Sequence, residues 1–313
     1  MPIGLSTVQQ EKLTDAFTGY HALFKKSRGR PSKAAEQVAI LTMRTPSGTA
    51  VEEYSWLDTI PSMHKWQGER RVKKLRANGF RVPNEDYEST IVIANNDIDD
   101  DRLGVYQPRI AAMPGRYPVL QLNLVAALLN GGFTTTGPGG ACYDGKAFFS
   151  TAHVNGSGSK SNKLTKALSS SNPSDNFEAG MTMLQKMTDE EGEPLNLGLD
   201  SERLYLVVPP DLRATARAIV GAKTLSGGGD NPNWGQAKVM VLSGLGATKW
   251  MLIDAAMEDQ KPVLFQDRKK LQSSDSRNGD GAFLTGNVMF GTHARCAMAY
   301  ANWYTAIGSD GTT

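Results

Sequence analysis

Trp66-Gln67-Gly68-Glu69-Arg70-Arg71-Val72-Lys73-Lys74-Leu75, followed by Asp86-Tyr87-Glu88-Ser89-Thr90-Ile91-Val92-Ile93-Ala94, is the stretch on which the reading of this 313-residue chain turns. The second run is rich in β-branched and aromatic residues and reads as a strand. Asn78-Gly79 is a dipeptide favoured in tight hairpin turns, so the expected partner strand lies around Arg70 to Leu75. The Lys and Arg side chains of that arm would also blunt unwanted edge pairing. A long charged hairpin is not needed for chemistry, but it suits a protein that reaches across its neighbours.

Working outward, Asp97, Asp99, Asp100 and Asp101 can cap a helix start and favour its positive end. Pro108, Pro114 and Pro118 interrupt the next stretch, which predicts a kinked or two-piece helix from about 100 to 130. Val119, Leu122, Val125, Ala126 and Leu129 form the apolar stripe of its second half, and Gly131-Gly132 ends it. Upstream, residues 1–45 read as a polar, basic arm with one helical candidate, Thr7 to Phe24, broken at Ser27-Arg28-Gly29-Arg30-Pro31-Ser32. Such an arm gains little from a core of its own, and a neighbouring surface is expected to order it. Downstream, Asp175 and Glu178 have capping-box spacing at the head of a helix expected over 175–188. Strands are expected at 203–208, 238–242, 248–254 and 287–303, with a helix over 211–220. In the last strand Val288, Phe290, Cys296, Met298 and Tyr300 share one register. The fold class is α+β.

Composition bounds the function. Hydrophobic residues make up 40% and charged residues 21%, with a net charge of +2, so no overall field advertises a nucleic-acid or membrane partner. Locally, Lys25, Lys26, Arg28 and Arg30 stand close together, and between His21 and Pro46 the only acid is Glu36. Two cysteines are too few for a disulfide scaffold. The N-terminus lacks a signal-peptide pattern, and the longest apolar run, 119–129, is too short to span a bilayer. The chain starts at Met1, so the expectation is that this copy has lost no N-terminal segment.

Catalytic patterns fail one after another. His21, His64, His153 and His293 show no metal-ligand spacing. Cys142, Asp144 and His153 are close in sequence, but no cation beside Cys142 lowers its pKa and no helix starts immediately after it. Asp97, Asp99 and Asp101 begin like a calcium loop, but Arg102 replaces its glycine and Pro108 its bidentate glutamate. Gly145-Lys146 is followed by Ala147, not Ser or Thr, so it is no phosphate loop. No catalytic site, cofactor or metal is expected.

The order Trp56-Leu57, Trp66-x-Gly68-x-Arg70, Gly79-Phe80, Asn84-x-Asp86-Tyr87-Glu88, Asn96-Asp97-Ile98-x-Asp100-Asp101 and Leu103-Gly104-Val105-Tyr106-x-Pro108 resembles the major head subunits of Mu-like bacteriophages. The resemblance continues at Gly132-Phe133 and at Cys142-Tyr143-Asp144-Gly145-x-x-Phe148-Phe149-x-x-x-His153, and is looser toward Leu206-Val207-Val208-Pro209-Pro210. It implies a Hong Kong 97-type capsid fold. That fold would place an N-terminal arm at 1–45, an extended loop and flanking strands at 46–98, and a peripheral domain with its spine helix at 99–144. An axial domain would follow at 145–285, with a return to the peripheral domain and a tail at 286–313. Pro114-Gly115 departs from an unbroken spine.

The implied function is a major capsid protein that assembles through pentamers and hexamers into an icosahedral head around double-stranded DNA. Its implied partners are scaffold, portal and a decoration protein, with no membrane; its place is the virion, and the host cytoplasm during assembly. The charge pattern then suggests inter-subunit contacts from Lys65, Trp66, Arg70, Arg71, Lys73 and Lys74. These would face Asp97, Asp99, Asp100 and Asp101, or Asp189, Glu190, Glu191 and Glu193, on an adjoining copy. Lys25, Lys26, Arg28 and Arg30 are candidates to face DNA phosphate. The alternatives are an encapsulin-like compartment shell of the same fold and a cysteine hydrolase using Cys142 and His153.

Overall fold

The computed structural model describes residues 7–54, 80–94, 96–97, 100, 102–156, 158–225, 227–276 and 287–312. The strand expected at Arg70 to Leu75 and its Asn78-Gly79 turn lie outside these residues. Helix α1, Thr7–Arg28, places Leu13, Phe17, Tyr20 and Phe24 at spacings of four, three and four, which puts them on one face. All four are buried. The α1 part of the arm therefore packs on its own chain. That differs from the expectation of a borrowed surface, because distant parts of the sequence supply the receiving core. Ser32 caps helix α2, Lys33–Leu41, by accepting from the Ala35 N–H, and the Thr42 hydroxyl donates to Val38 O as the chain turns into strand β1, Thr42–Pro46.

Strands β2, Val51–Tyr54, and β3, Phe80–Pro83, pair as an antiparallel ribbon, and β4, Glu85–Ala94, comes next. The proline-rich stretch beyond it is segmented as expected. A 3-10 turn at Leu103–Tyr106 leads into α3, Gln107–Ala112, and a second one at Met113–Gly115 leads into α4, Arg116–Gly131. Pro108 sits in the first turn of α3, where its missing N–H costs nothing. The buried face of α4 is Gln121, Val125, Ala126, Leu128 and Leu129, whereas Val119 of the expected stripe is 40% exposed near the helix start.

Short strands β5, His153–Asn155, β6, Gly158–Lys160, and β7, Lys163–Leu164, precede α5, Phe177–Gln185. That helix starts later than expected. Pro173–Asp175 forms a 3-10 turn, and Asn176, not Asp175, is the cap, accepting from the Phe177 N–H while its amide donates to Ser169 O and Asn172 O. Then come β8, Leu204–Val208, α6, Arg213–Val220, β9, Lys238–Val241, and β10, Trp250–Asp254. Two long strands, β11, Val263–Asp275, and β12, Asn287–Tyr300, lead to β13, Ala306–Ser309.

These strands form two main sheets. One has the order β1-β11-β12-β4 and the other β7-β13-β10-β8-β9. Strand β4 therefore pairs with β12, along the whole run from Glu85↔Cys296 to Ala94↔Asn287. The two sheets cut the chain differently from the segment boundaries at 144 and 285. Strand β11 joins the sheet of β4 and β12, and β13 joins that of β8 to β10. The largest core cluster packs α4 with Leu206, Val207, Trp250, Leu252 and Ile307 of the five-stranded sheet. A separate cluster seats α1 and α3 on Ile93, Leu271, Val288 and Phe290 of the four-stranded sheet.

Candidate assembly surface

The base of the segment 55–79 is well anchored. Tyr54 and Phe80, the residues at its two ends, are cross-strand partners in the β2–β3 ribbon, so the segment leaves and returns at one point. Tyr54 is 3% exposed, and its hydroxyl donates to Gln266 Oε1 at 2.8 Å; the Gln266 amide in turn donates to Val82 O. Tyr54 and Val82 pack with Met43, Leu264, Ala297 and Ala299, which ties the ribbon to β1, β11 and β12. At the far turn the Glu52 carboxylate accepts from the Ser47 hydroxyl and from the Gly48 and Thr49 N–H groups. The Thr49 backbone bond, the Ser47 hydroxyl and the Gly48 amide hold its pKa down at about 2. Asn84 donates to Ser47 Oγ and Thr49 O and closes the same turn. Lys65, Trp66, Arg70, Arg71, Lys73 and Lys74 all fall within 55–79, outside the described residues.

The expected acidic partners divide. Asp97 is half-buried, and its carboxylate accepts the Tyr106 hydroxyl; that hydrogen bond and burial raise the Tyr106 pKa. Asp100 is exposed, 3.7 Å from the Arg102 guanidinium, and Asp99 and Asp101 lie outside the described residues. Asp189 is only 1% exposed. It accepts from the Glu191 and Glu193 N–H groups and holds a turn, so it presents no charge to a partner, whereas Glu191 and Glu193 are exposed. The outer carboxylates of β4 were missed from sequence. Glu85, Asp86 and Glu88 are exposed on a strand that ends its sheet among the described residues. Three acids within four residues were the available signal; the edge position was not. An open edge strand offers unpaired backbone groups to another chain.

The arm cations are placed by α1. Lys25, Lys26 and Arg28 lie in its last turn, where they offset the negative end of the helix, and all are exposed, as is Arg30. The Arg28 Nη1 donates to Leu271 O of β11 at 2.8 Å, and two turns earlier on the helix His21 lies 2.8 Å from Asp275 Oδ2.

The Cys142, Asp144 and His153 group has no catalytic geometry. His153 is fully buried and stacks flat on Trp303, 4.1 Å between ring centroids; its Nδ1 faces Asp144 Oδ2 at 2.6 Å and its Nε2 faces Phe148 O at 3.1 Å. Both ring nitrogens are therefore engaged, and neither is offered to a nucleophile. Burial would push the Asp144 carboxyl up, but the His153 hydrogen bond and charge, with the Lys146 and Val154 amides, hold it below its usual range. Cys142 is buried, its Sγ 3.8 Å from Ala301 O, and burial followed by the Asp144 charge pushes its thiol far up. A nucleophile needs the opposite shift. Among the described residues no three His, Cys, Asp or Glu side chains cluster as metal ligands, and no helix is long and apolar enough to cross a membrane.

Comparison with known proteins agrees with this architecture. The family model for the Mu-like prophage major head subunit gpT matches residues 13–173, 163–245 and 242–312. The chain is 33% identical over 143 residues to the major capsid protein of Escherichia phage Mu, covering 44% of this chain and 45% of that protein. It is 30% identical over 150 residues to the Mu-like prophage FluMu major head subunit of Haemophilus influenzae, covering 48% and 46%. The matched stretch thus spans about half the length of these curated relatives. The subunit in the procapsid of bacteriophage JBD30 superposes with a TM-score of 0.58 at 22% identity, covering 97% of this chain and 76% of that one, which shows a capsid-subunit fold of the Hong Kong 97 type.

Proposed function

The chain belongs to the Mu-like prophage major head subunit family, and from that premise we propose that it is the major capsid protein of a phage head. It assembles through pentamers and hexamers into an icosahedral shell around double-stranded DNA, in the host cytoplasm, and remains in the virion. Scaffold and portal proteins, and a decoration protein, are its proposed partners. The observation that carries this reading is the anchored β2–β3 ribbon, which presents a 25-residue segment from one fixed point. That segment holds Lys65, Arg70, Arg71, Lys73, Lys74 and Arg76 against Asp58 and Glu69. An anchored base carrying 25 residues of net-cationic sequence suits heterologous contacts that repeat around a ring and close into a shell.

In this reading 46–98 holds the extended loop and its flanking strands, and α4 is the spine helix of the peripheral domain that contains the four-stranded sheet. The five-stranded sheet, against which α4 also packs, is the axial domain. The cationic segment meets the acidic edge of an adjoining copy: Glu85, Asp86 and Glu88 on β4, with Asp97 to Asp101 beyond. Charge complementarity of this kind sets register and encounter rate more than affinity, and many weak copies of one contact yield high avidity. The test is Arg70→Glu with Arg71→Glu, expressed beside the wild-type chain and examined by size exclusion and electron microscopy. Folded subunits without shells are the expected result. Normal shells from the double variant would sink the proposed contact, and a wild-type chain that never forms rings or shells would sink the capsid reading.

A further inference from the structure

Two cationic groups far apart in sequence meet in this fold. The first is the end of α1, with Lys25, Arg28 and Arg30; the second is Arg268, Lys269 and Lys270 of β11, and all six are exposed. The Arg28 hydrogen bond to Leu271 O, the residue next to Lys270, brings them side by side. Strand β1 covers β11 only from Val263 to Asp267, so beyond that point β11 is an open edge among the described residues. The β11–β12 register shifts twice there, between Asp267 and Lys269 and again between Lys269 and Gln272. Bulges of this kind bend a strand and re-aim its side chains. The three consecutive cations of β11 stand in this irregular stretch, about 10 Å long at the usual rise per residue.

Each group has an ordinary explanation alone: helix-end cations offset the dipole, and charged edges discourage strand pairing. Neither explains their convergence without carboxylates. No ion pair is formed by any of the six among the described residues; the nearby Asp275 is held by His21, and Asp267 is half-buried. Among the described residues Arg268 donates to a backbone acceptor, Ser47 O, at 3.3 Å. A row of cations with no ion pair among the described residues, set along an edge, fits a line of negative charge better than a single small anion.

We propose that this rim binds the phosphate backbone of duplex DNA without regard to sequence. The inference rests on the capsid reading and extends the arm's role to β11. Each phosphate neutralised releases counterions, so log K falls with log salt by about 0.9 per contact. The test measures binding of a random-sequence duplex to the soluble full-length chain over a salt series. It compares wild type with Arg268→Gln/Lys269→Gln/Lys270→Gln and, separately, with Lys25→Gln/Arg30→Gln. Both leave the Arg28 hydrogen bond to Leu271 in place. The expected salt slope becomes shallower by about 2 to 3 for the triple variant and by about 1 to 2 for the double. An undetectable wild-type interaction at low salt, or slopes unchanged by both sets, overturns the proposal. Polyglutamate binding through the same residues at least as tightly as DNA also overturns it, in favour of an acidic protein partner. Shell formation by the same preparations, scored by electron microscopy, separates failure of the rim from failure of the capsid reading.

Discussion

Replacing Phe290 by alanine should release the N-terminal helix while sparing the rest of the chain. Phe290 is fully buried on β12, with ring centroids 6.1 Å from Phe17, 6.0 Å from Tyr20, 5.1 Å from His21 and 6.4 Å from Phe24. It is the point at which four rings of α1 meet the sheet. Phe→Ala in a packed core costs about 3–5 kcal/mol, from lost transfer energy and the cavity left behind. At 1.4 kcal/mol per tenfold change, that is roughly a hundred- to several-thousand-fold in the opening equilibrium. The cost should fall mainly on α1, because Phe290 belongs to the cluster under that helix and not to the one that includes Leu206 and Leu252. Hydrogen exchange of amides in 11–28 should accelerate by two orders of magnitude or more, while amides of β8 and β10 keep their protection. A double cycle with Phe17→Ala should show a coupling of about 0.5–1.5 kcal/mol, the worth of one aromatic pair beyond its area. Less than tenfold acceleration in α1, or equal loss in β8 and β10, would refute the two-cluster account.

Buried groups elsewhere lead to further expected outcomes. The Asp144 carboxyl is depressed in the folded chain, so its contribution is fully present above its unfolded pKa of about 3.9 and is lost as pH falls through the lower folded value. Urea titrations of wild type and Asp144→Asn should therefore differ most at neutral pH and converge in acid; a constant difference would contradict the assignment. At pH 8 neither Cys142 nor Cys296, whose thiol burial pushes up to about 11, should react with iodoacetamide until the chain is unfolded. Mass spectrometry showing rapid native labelling of Cys142 would revive a reactive-thiol reading. In β13, a Cβ on Gly308 would lie 2.5 Å from the Phe149 ring, so Gly308→Ala should destabilise by about 1–3 kcal/mol or more, read as a lower urea midpoint.

The local signals in the chain were sound where structure depends on nearest neighbours. The β-rich run at 86–94, the proline-punctuated helices before Gly131, the strand at 204–208 and the long alternating strand from Asn287 all stand where the residues place them. Their propensities and side-chain periods act within a few residues, so they are legible without tertiary contacts. Strand β11 was not legible. Val263, Leu264, Phe265 and Gln266 are buried in succession, and bulges then disturb the period through a charged run, so no alternation marks it as a strand. Helix α2 was hidden in the same way, being only nine residues long and sustained by Val38 and Leu41 packing against distant elements.

The motif order by itself determined the family, and with it the kind of fold. Pairing and placement came from the tertiary structure alone. It joined β4 to β12 across some 200 residues, buried Asp189 in a turn, left Glu85, Asp86 and Glu88 on an edge, and brought Arg28 to Leu271. Each of these depends on which distant segment supplies the matching surface. That is set by the whole core at once, and no window of residues contains it.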